Sequence, residues 1–244
     1  LNPPVISTVT DNVGTITGNV SNGGVTDDTV LVIAGAAGSA VAGATVTVFN
    51  GVTSLGTTTA LGDGSWSFTT AALSNATTYS FNARQTSGLN VSGLSSNYLV
   101  TIDTTAPTVT VTDNVAGTAN STTGTVVYTY TFSEPVVGLA TNDFTVTNGS
   151  GSSVSGSGTT WTVNVTPANA VATGNITITL AAGGVTDIAG NPNAVNTNSA
   201  QTIDTVAPAK TTNLAVAFTD SGTSNSDRIT NDNTMDFSGT ASDR

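Results

Sequence analysis

Along most of the chain, apolar residues alternate with Thr, Ser or Asn, the two-residue period of half-buried β-strands. The run SWSFTT places Trp66 and Phe68 on one face, and VVYTYTF does the same with Tyr128, Tyr130 and Phe132. Gly, Pro and Asn-Gly sequences separate these runs, and no stretch of useful length has the 3.6-residue period of a helix. The pattern predicts an all-β fold built of β-sandwiches.

Two further runs have the same alternation, with Tyr79 and Phe81 in TYSFNAR and Trp161 in WTVNVT. Strict alternation indicates the core side of a strand, so we interpret these aromatic residues as core rather than as a platform for stacking carbohydrate. The residues expected in the core of a first sandwich are Trp66, Phe68, Tyr79 and Phe81, and those of a second are Tyr128, Tyr130, Phe132 and Trp161.

The chain contains an internal repeat of about 100 residues. TIDTTAP from Thr101 recurs as TIDTVAP from Thr202, which makes Asp103 and Asp204 equivalent, and VTDDTVLVIAGAA from Val25 aligns without gaps to ITNDNTMDFSGTA from Ile229. The repeat predicts two sandwiches at 1–103 and 104–204 and an incomplete third unit at 205–244. A third unit of this length cannot bury a sandwich core alone. We therefore expect it to be frayed, packed on the second unit or completed by another chain.

Charged residues are scarce and mostly acidic, with 15 Asp and Glu against 4 Lys and Arg and a net charge of -11. An acidic surface without a basic stripe argues against binding to nucleic acid or anionic lipid. No apolar run is long enough to cross a membrane, and the first residues, LNPPVISTV, lack the features of a signal peptide. We therefore expect neither nucleic acid binding nor membrane insertion.

The chain has no His and no Cys, which excludes the Ser-His-Asp and Cys-His arrangements, disulfides and the usual zinc sites. Glu134 is the single glutamate, so a glycosidase would depend on Asp for most of its acid and base chemistry. We do not expect an enzyme.

The acidic residues are concentrated where two units would meet. In a seven-stranded sandwich, alternate loops cluster at opposite ends. The end of the second unit that faces the first would gather residues from FSEPVVGLATNDF and VTDIAGNPN, the facing end of the first unit would gather TDNVG and VTDDT, and Asp103 would lie on the linker between them. The predicted metal ligands at this junction are Asp11, Asp27, Asp28, Asp103, Glu134, Asp143, Asp187 and Asn191.

Carboxylates that converge repel one another unless they are protonated or share a cation. Outside cells the available hard cation is calcium, which takes about six to eight oxygen ligands. We therefore predict that Asp103 clamps the first unit to the second through Ca²⁺, and that Asp113 and Asn114 serve the next junction beside Asp204. For any single residue the alternative is that Asp or Asn caps a turn by local hydrogen bonding.

The motifs VTDDT, GDGSWSFT, SEPV, NDFTVTNG, VTDIAGNP, IDTTAP and IDTVAP, in this order and spacing, resemble the tandem bacterial Ig-like domains of giant repetitive adhesins and biofilm surface proteins. The resemblance covers essentially the whole chain. It implies Greek-key Ig-like sandwiches joined end to end, calcium at the junctions and export to the cell surface, often by type I secretion. Two features depart from the family: no proline follows the Asp pair in TDDTVLVIAG, and Asn231 stands in the position of Asp27 in the third unit.

The leading functional hypothesis is a structural extender of a secreted, calcium-rigidified bacterial surface adhesin or biofilm matrix protein. Its expected partners are the neighbouring repeats, a host or matrix ligand bound through other regions, and further copies of itself. One alternative is a self-assembling extracellular filament or surface-layer subunit that exchanges strands. Another is a glycan- or protein-binding Ig-like module with its site in loops at one end.

Overall fold

A computed structural model describes residues 1–198, 200–208, 215–217 and 236–238. The described chain is all-β apart from a single 3₁₀ turn at Thr141–Asp143, which confirms the predicted fold class. The strands of the first unit are β1 (Thr8–Asp11), β2 (Gly18–Asn19), β3 (Gly24–Thr26), β4 (Val32–Gly35), β5 (Thr45–Asn50), β6 (Thr53–Thr59), β7 (Trp66–Thr69), β8 (Thr77–Ser87), β9 (Asn90–Val91) and β10 (Tyr98–Ile102). Those of the second are β11 (Val109–Asp113), β12 (Val126–Val137), β13 (Phe144–Thr147), β14 (Gly149–Pro167), β15 (Gly174–Asn175), β16 (Thr177–Leu180), β17 (Thr186–Asp187), β18 (Asn196–Asn198) and β19 (Thr202–Ile203).

The first unit packs two sheets face to face. One sheet has the order β2-β1-β4-β7, and the other has the order β3-β10-β8-β5-β6 with β9 paired to β8. The strands are antiparallel except that β3 runs parallel to β10, with Thr26 opposite Ile102. The opening segment of the chain therefore contributes first to one sheet and then to the other, as in an Ig-like sandwich.

The second unit repeats this plan. Its sheets are β11-β12-β14, with β17 also paired to β12, and β13-β16-β18, while β15 pairs with β19. A parallel bridge from Ala119 to Ile203 takes the place of the β3–β10 pair. Strand β14 folds back on itself. This brings Ser155 Oγ in its first half within 2.8 Å of Thr162 Oγ1 in its second half.

Each unit has its own apolar core, centred on the aromatic residues that the alternation selects. Five of the eight expected aromatic residues are buried: Trp66, Phe81, Tyr128, Tyr130 and Phe132. The other three, Phe68, Tyr79 and Trp161, are half-buried and pack against the edge of a core. For Phe68 the reason is position, because β7 is an edge strand and the Phe68 ring lies against Gly56, where an added Cβ would come within 2.8 Å of Cε2.

Beyond the second unit, the structure describes two short strands, β20 (Ala215–Ala217) and β21 (Asp236–Ser238). They pair antiparallel, with Ala215 opposite Ser238. The expectation that 205–244 packs on the second unit or is completed by another chain falls mostly outside the described residues and stays a prediction. Within the described part of the chain, no helix combines the length and apolarity that a membrane span needs.

Candidate metal centre at the junction of the two units

The linker begins at Asp103, directly after β10. The Asp103 backbone N–H donates to the Thr26 carbonyl oxygen at 2.9 Å and so extends the parallel β3–β10 pairing by one residue. One carboxylate oxygen of Asp103, Oδ1, accepts a hydrogen bond from the Thr105 N–H at 3.0 Å. Local backbone geometry therefore fixes where the Asp103 side chain begins and which way one of its oxygens points.

Two strands of the second unit bring Glu134 and Asp187 to the same place. In β12 the register shifts between Thr131 and Val136, around Glu134, and β17 then pairs with β12 so that Asp187 lies opposite Val136. Carboxylate oxygens of Asp103, Glu134 and Asp187 all lie within 4.8 Å of one another. The structure thus brings together a linker residue and two residues of the second unit.

Asp187 is the buried anchor of this group. Its Oδ1 accepts hydrogen bonds from the backbone N–H groups of Ala189, Gly190 and Asn191 at 2.8, 2.8 and 3.0 Å. Its Oδ2 accepts a fourth from Asn191 Nδ2 at 2.8 Å. Four donors hold the carboxylate in one orientation; three of them share Oδ1, whereas Oδ2 accepts one and keeps a further lone pair.

The other two carboxylates have oxygens without protein partners. Within the part of the chain that the structure describes, Asp103 Oδ2 and the Glu134 carboxylate accept no hydrogen bond. Burial, and then the charges of Asp187 and Asp103, raise the pKa of Glu134 above its ordinary value. Arg84, the one Lys or Arg among the described residues, lies elsewhere, 5.3 Å from the ring centre of Phe49. No described basic side chain therefore offsets the negative charge.

The first unit contributes a second acidic group from the loops after β1 and β3. Asp11 and Asp28 are buried and act as braces between these loops: Thr26 Oγ1 donates to Asp11 Oδ2, and the Asn12 N–H donates to Asp28 Oδ2 at 3.1 Å. The remaining oxygen of each accepts an N–H two residues farther along the chain. Both oxygens of Asp11 and of Asp28 therefore already accept one hydrogen bond, and each oxygen keeps one further lone pair.

Asp27, which follows β3 beside Asp28, is affected by the charges of both acidic groups. Its Oδ1 is buried and has no hydrogen-bond partner among the described residues. Burial, followed by the charge of Asp11 and smaller effects of Asp187 and Asp28, raises the pKa of Asp27. Gly14 makes room for this carboxylate, since a Cβ at Gly14 would collide with it. An unpaired, buried carboxylate oxygen is costly unless something else binds it.

The two units also touch directly. Thr15 Oγ1 donates to the Gly190 carbonyl oxygen at 2.7 Å, and Asn191 Nδ2 donates to the Asp103 carbonyl oxygen at 2.8 Å. Gly190 is buried at a φ of +104°, and an added Cβ would lie 3.4 Å from Ile16 Cβ. Glycine at this position therefore allows the loop after β17 to approach the loop after β1.

The remaining predicted ligands lie outside this group. Asp143 caps the 3₁₀ turn by accepting the Ala140 N–H at 2.7 Å. At the other end of the second unit, Oδ1 atoms accept backbone N–H groups in the same way for Asp113, Asn114 and Asp204, at 3.0, 2.8 and 3.1 Å. Among the described residues these three join no cluster of three carboxylates. Their role at the next junction stays a prediction.

Several uncharged residues also shape the junction, and the sequence did not identify them as site residues. Thr15 and Gly190 supply a contact between units, Gly14 supplies space, and Asn75 binds the linker. A glycine in TDNVG is visible in the sequence, but nothing there tells which side chain would fill the space it leaves.

The donor set fits a hard cation. Calcium binds oxygen at 2.3–2.6 Å, so two ligands of one ion lie at most about 5 Å apart, and the 4.8 Å limit on the three carboxylates meets that condition. Asp27, whose buried Oδ1 has no hydrogen-bond partner among the described residues, is not part of that group of three. Carboxylate and carbonyl oxygens are the ligands that Ca²⁺ prefers over softer metals.

Comparison with known families gives a match over the second unit. Residues 103–204 match the family model described as "Bacterial Ig-like domain". These residues form a bacterial Ig-like domain. Such domains are typically extracellular or displayed at the cell surface, are generally not enzymes, and indicate a surface or adhesin-type extender role. The strand plan of the first unit, with its own parallel pair at β3 and β10, makes the described chain two Ig-like sandwiches in tandem.

No curated protein matches the chain. Similar solved structures include a chimeric titin Z1Z2 carrying an exogenous decorin peptide (13% identity, 84% of this chain and 96% of that chain, TM-score 0.29). They also include titin A168–A169 (11%, 84% and 100%, TM-score 0.28) and titin Z1Z2 in complex with telethonin (13%, 84% and 96%, TM-score 0.27). At these TM-scores the fold assignment rests on the strand pairing and the family match alone.

Proposed function

We propose that this chain is an extender segment of a secreted bacterial surface adhesin or biofilm matrix protein, and that Ca²⁺ at the junction fixes its two Ig-like units in one relative orientation. The observation that carries the proposal is the convergence of Asp103, Glu134 and Asp187, with Asp27 of the first unit electrostatically coupled to Asp187. A cation held by residues from both sides of a linker restricts how the linker bends.

In this proposal Asp103, Glu134 and Asp187 hold the ion, and Asp27 contributes from the first unit. The cation supplies positive charge to carboxylates that have no basic partner among the described residues. Without it, the repulsion between these side chains opposes the contacts of Thr15 and Asn191 across the junction. With it, the same carboxylates favour the joined arrangement.

Two alternatives receive less support. A glycan-binding module needs an exposed aromatic ring beside polar loop residues, yet every described Trp, Tyr and Phe side chain is buried or half-buried. A strand-exchanging filament depends on 205–244, of which the structure describes residues 205–208 and the strands at 215–217 and 236–238. In the extender proposal the neighbouring repeats are the direct partners, and other regions carry the adhesion to host or matrix. The role asked of this segment is to join its units end to end.

Metal content of the purified protein tests the proposal. The chain is equilibrated in millimolar CaCl₂, separated from free ion by gel filtration and analysed by mass spectrometry of the elements. We expect bound calcium in the wild type and a loss of at least one ion per chain in Glu134→Gln and in Asp187→Asn. Asp63→Asn is the matched control, because Asp63 is exposed and its Oδ1 binds Ser65 in its own turn. Equal calcium content in all four proteins would refute the site.

A further inference from the structure

The linker is held by a side chain that lies outside the group of carboxylates. Asn75, in the turn between β7 and β8, accepts a hydrogen bond from the Thr104 N–H through Oδ1 at 2.8 Å. Its Nδ2 donates to Thr105 Oγ1 at 2.9 Å. One amide group therefore fixes both residues that follow Asp103.

The turn that carries Asn75 is itself well defined. The Ala76 N–H donates to Asn75 Oδ1 at 2.8 Å, and Thr77 Oγ1 donates to the Asn75 carbonyl oxygen at 3.1 Å. Ala76 adopts a φ of +54°, in the left-handed region that residues with a Cβ rarely occupy. Such a conformation persists where surrounding contacts impose it, and here the contacts point the Asn75 amide at the linker.

A chain of contacts leads from Asn75 to the carboxylate of Asp103. Thr105, whose hydroxyl Asn75 binds, uses its own N–H to hold Asp103 Oδ1 at 3.0 Å. The backbone of Asp103 is fixed on its other side by Thr26. With Oδ1 bound to the Thr105 N–H, Oδ2 accepts no hydrogen bond among the described residues and is available to the group formed with Glu134 and Asp187.

The end of the second unit offers a comparison. Thr205, the counterpart of Thr104, is held by backbone groups: its Oγ1 accepts the Val171 N–H at 3.0 Å and its N–H donates to the Val171 carbonyl oxygen at 2.7 Å. Both units thus tie the first residue after the linker Asp to the turn that precedes the same strand. A side chain makes this tie in the first unit, so it can be removed by substitution there.

We infer that Asn75 is a positioning residue of the cation site, which orients the Asp103 carboxylate through Thr105 without contacting the ion. The inference rests on the proposed function, since it concerns the same site. The turn between β7 and β8 would thus affect cation binding through the amide of Asn75 and not through a carboxylate of its own.

Calcium titration by calorimetry tests the inference on the wild type, Asn75→Ala, Thr105→Val and Thr105→Ser. We expect Asn75→Ala and Thr105→Val to weaken calcium binding about threefold to tenfold, the effect of losing one or two hydrogen bonds. Thr105→Ser retains the hydroxyl, so it should bind calcium like the wild type. The double variant Asn75→Ala/Thr105→Val should bind no more weakly than Asn75→Ala, because that variant has already lost the contact to the Thr105 hydroxyl.

Asn120→Ala provides the control. Asn120 Oδ1 accepts the Thr122 N–H at 2.9 Å in a loop of the second unit. Substitution of Asn120 therefore removes a side-chain cap like that of Asn75, but one that makes no hydrogen bond to residues 103–105. Its calcium affinity should equal that of the wild type. If the wild type binds no calcium, the proposed function fails. If the wild type binds calcium and Asn75→Ala binds it equally well while melting at a lower temperature in chelator, Asn75 only caps its turn and the inference is wrong.

Discussion

Asn191 Nδ2 donates a hydrogen bond of 2.8 Å to the backbone carbonyl oxygen of Asp103, so a side chain of the second unit holds the first residue of the linker. The same nitrogen donates to Asp187 Oδ2 at 2.8 Å. Asn191, predicted as a metal ligand, thus braces two other predicted ligands through its amide nitrogen. The junction combines contacts made by the protein alone with carboxylates that the proposed function assigns to a cation.

Removal of calcium is expected to lower the melting temperature reversibly. An ion that binds only the folded, joined form stabilises it by about 2.7 kcal/mol at a free concentration of 100 times the dissociation constant. Extracellular modules bind calcium at about 10⁻⁴ to 10⁻³ M, so the gain should appear at millimolar calcium and then grow with the logarithm of the calcium concentration. Scanning calorimetry with chelator, and again after calcium is restored, measures it. A melting curve that chelation leaves unchanged would contradict the prediction.

Asp103→Ala should loosen the angle between the units more than it destabilises either one. Asp103 is half-buried and outside both apolar cores, so its loss removes a ligand without leaving a cavity. Small-angle X-ray scattering in calcium should show a broader distribution of interatomic distances for the variant, while its thermal transitions move little. If the variant is as rigid as the wild type, Asp103 serves only as the cap that it forms with Thr105.

Gly14→Ala should weaken calcium binding more than Gly18→Ala does. Both glycines lie in the loop between β1 and β2 or at its end and have positive φ, at +72° and +117°, so both substitutions strain the backbone. Only the Cβ at Gly14 collides with a carboxylate, that of Asp27, whereas nothing lies within 4 Å of a Cβ at Gly18. Equal losses of affinity in the two variants would show that backbone strain alone matters.

The metal-free protein should become more stable as the pH falls from neutral toward the ordinary pKa values of two junction carboxyls. Burial and neighbouring charges raise the pKa of Asp27 and of Glu134 above their ordinary values of 3.8 and 4.5. A raised folded-state pKa gives stability that is complete below the ordinary value and is lost as the pH rises through the folded value. In calcium the trend should weaken, because protons compete with the ion. Melting temperatures in chelator that fall with the pH across this range would contradict the assignment.

Tyr128→Phe and Tyr130→Phe should each raise the free energy of unfolding by about 1 kcal/mol, the lower end of the cost of an unpaired buried polar group. Both hydroxyls are buried without a hydrogen-bond partner among the described residues, and burial raises the pKa of Tyr128 to about 12. Chemical denaturation of the second unit measures the change. A loss of stability would mean that the hydroxyl makes a hydrogen bond, for example to an internal water.

The sequence predicts the sheets well because alternation reports directly on which face of a strand is buried. It places Trp66 and Tyr130 correctly. It cannot distinguish an edge strand from a central one, and for that reason it overestimates the burial of Phe68 in β7.

For the site, the sequence identifies the acidic residues but not their arrangement. Asp187 and Glu134 meet because β17 adds to β12 beside a register shift, a pairing that depends on the complete sandwich. Asp143 comes from the same expected loops, yet its carboxylate caps the 3₁₀ turn. Thr15 and Asn75 act through neutral hydrogen bonds between segments that are distant in the sequence. No motif around either residue indicates such a bond.

If calcium fixes the first unit against the second, a distance measured between the two units should depend on calcium. The chain has no Cys, so Thr57→Cys and Thr160→Cys, on exposed positions of β6 and β14, give two unique spin-label sites. Pulsed electron spin resonance then measures the distribution of label separations with calcium and with chelator. We expect a narrow distribution in calcium that broadens on chelation, and a broad one in both conditions when Glu134→Gln is added. The same narrow distribution with and without calcium would contradict it.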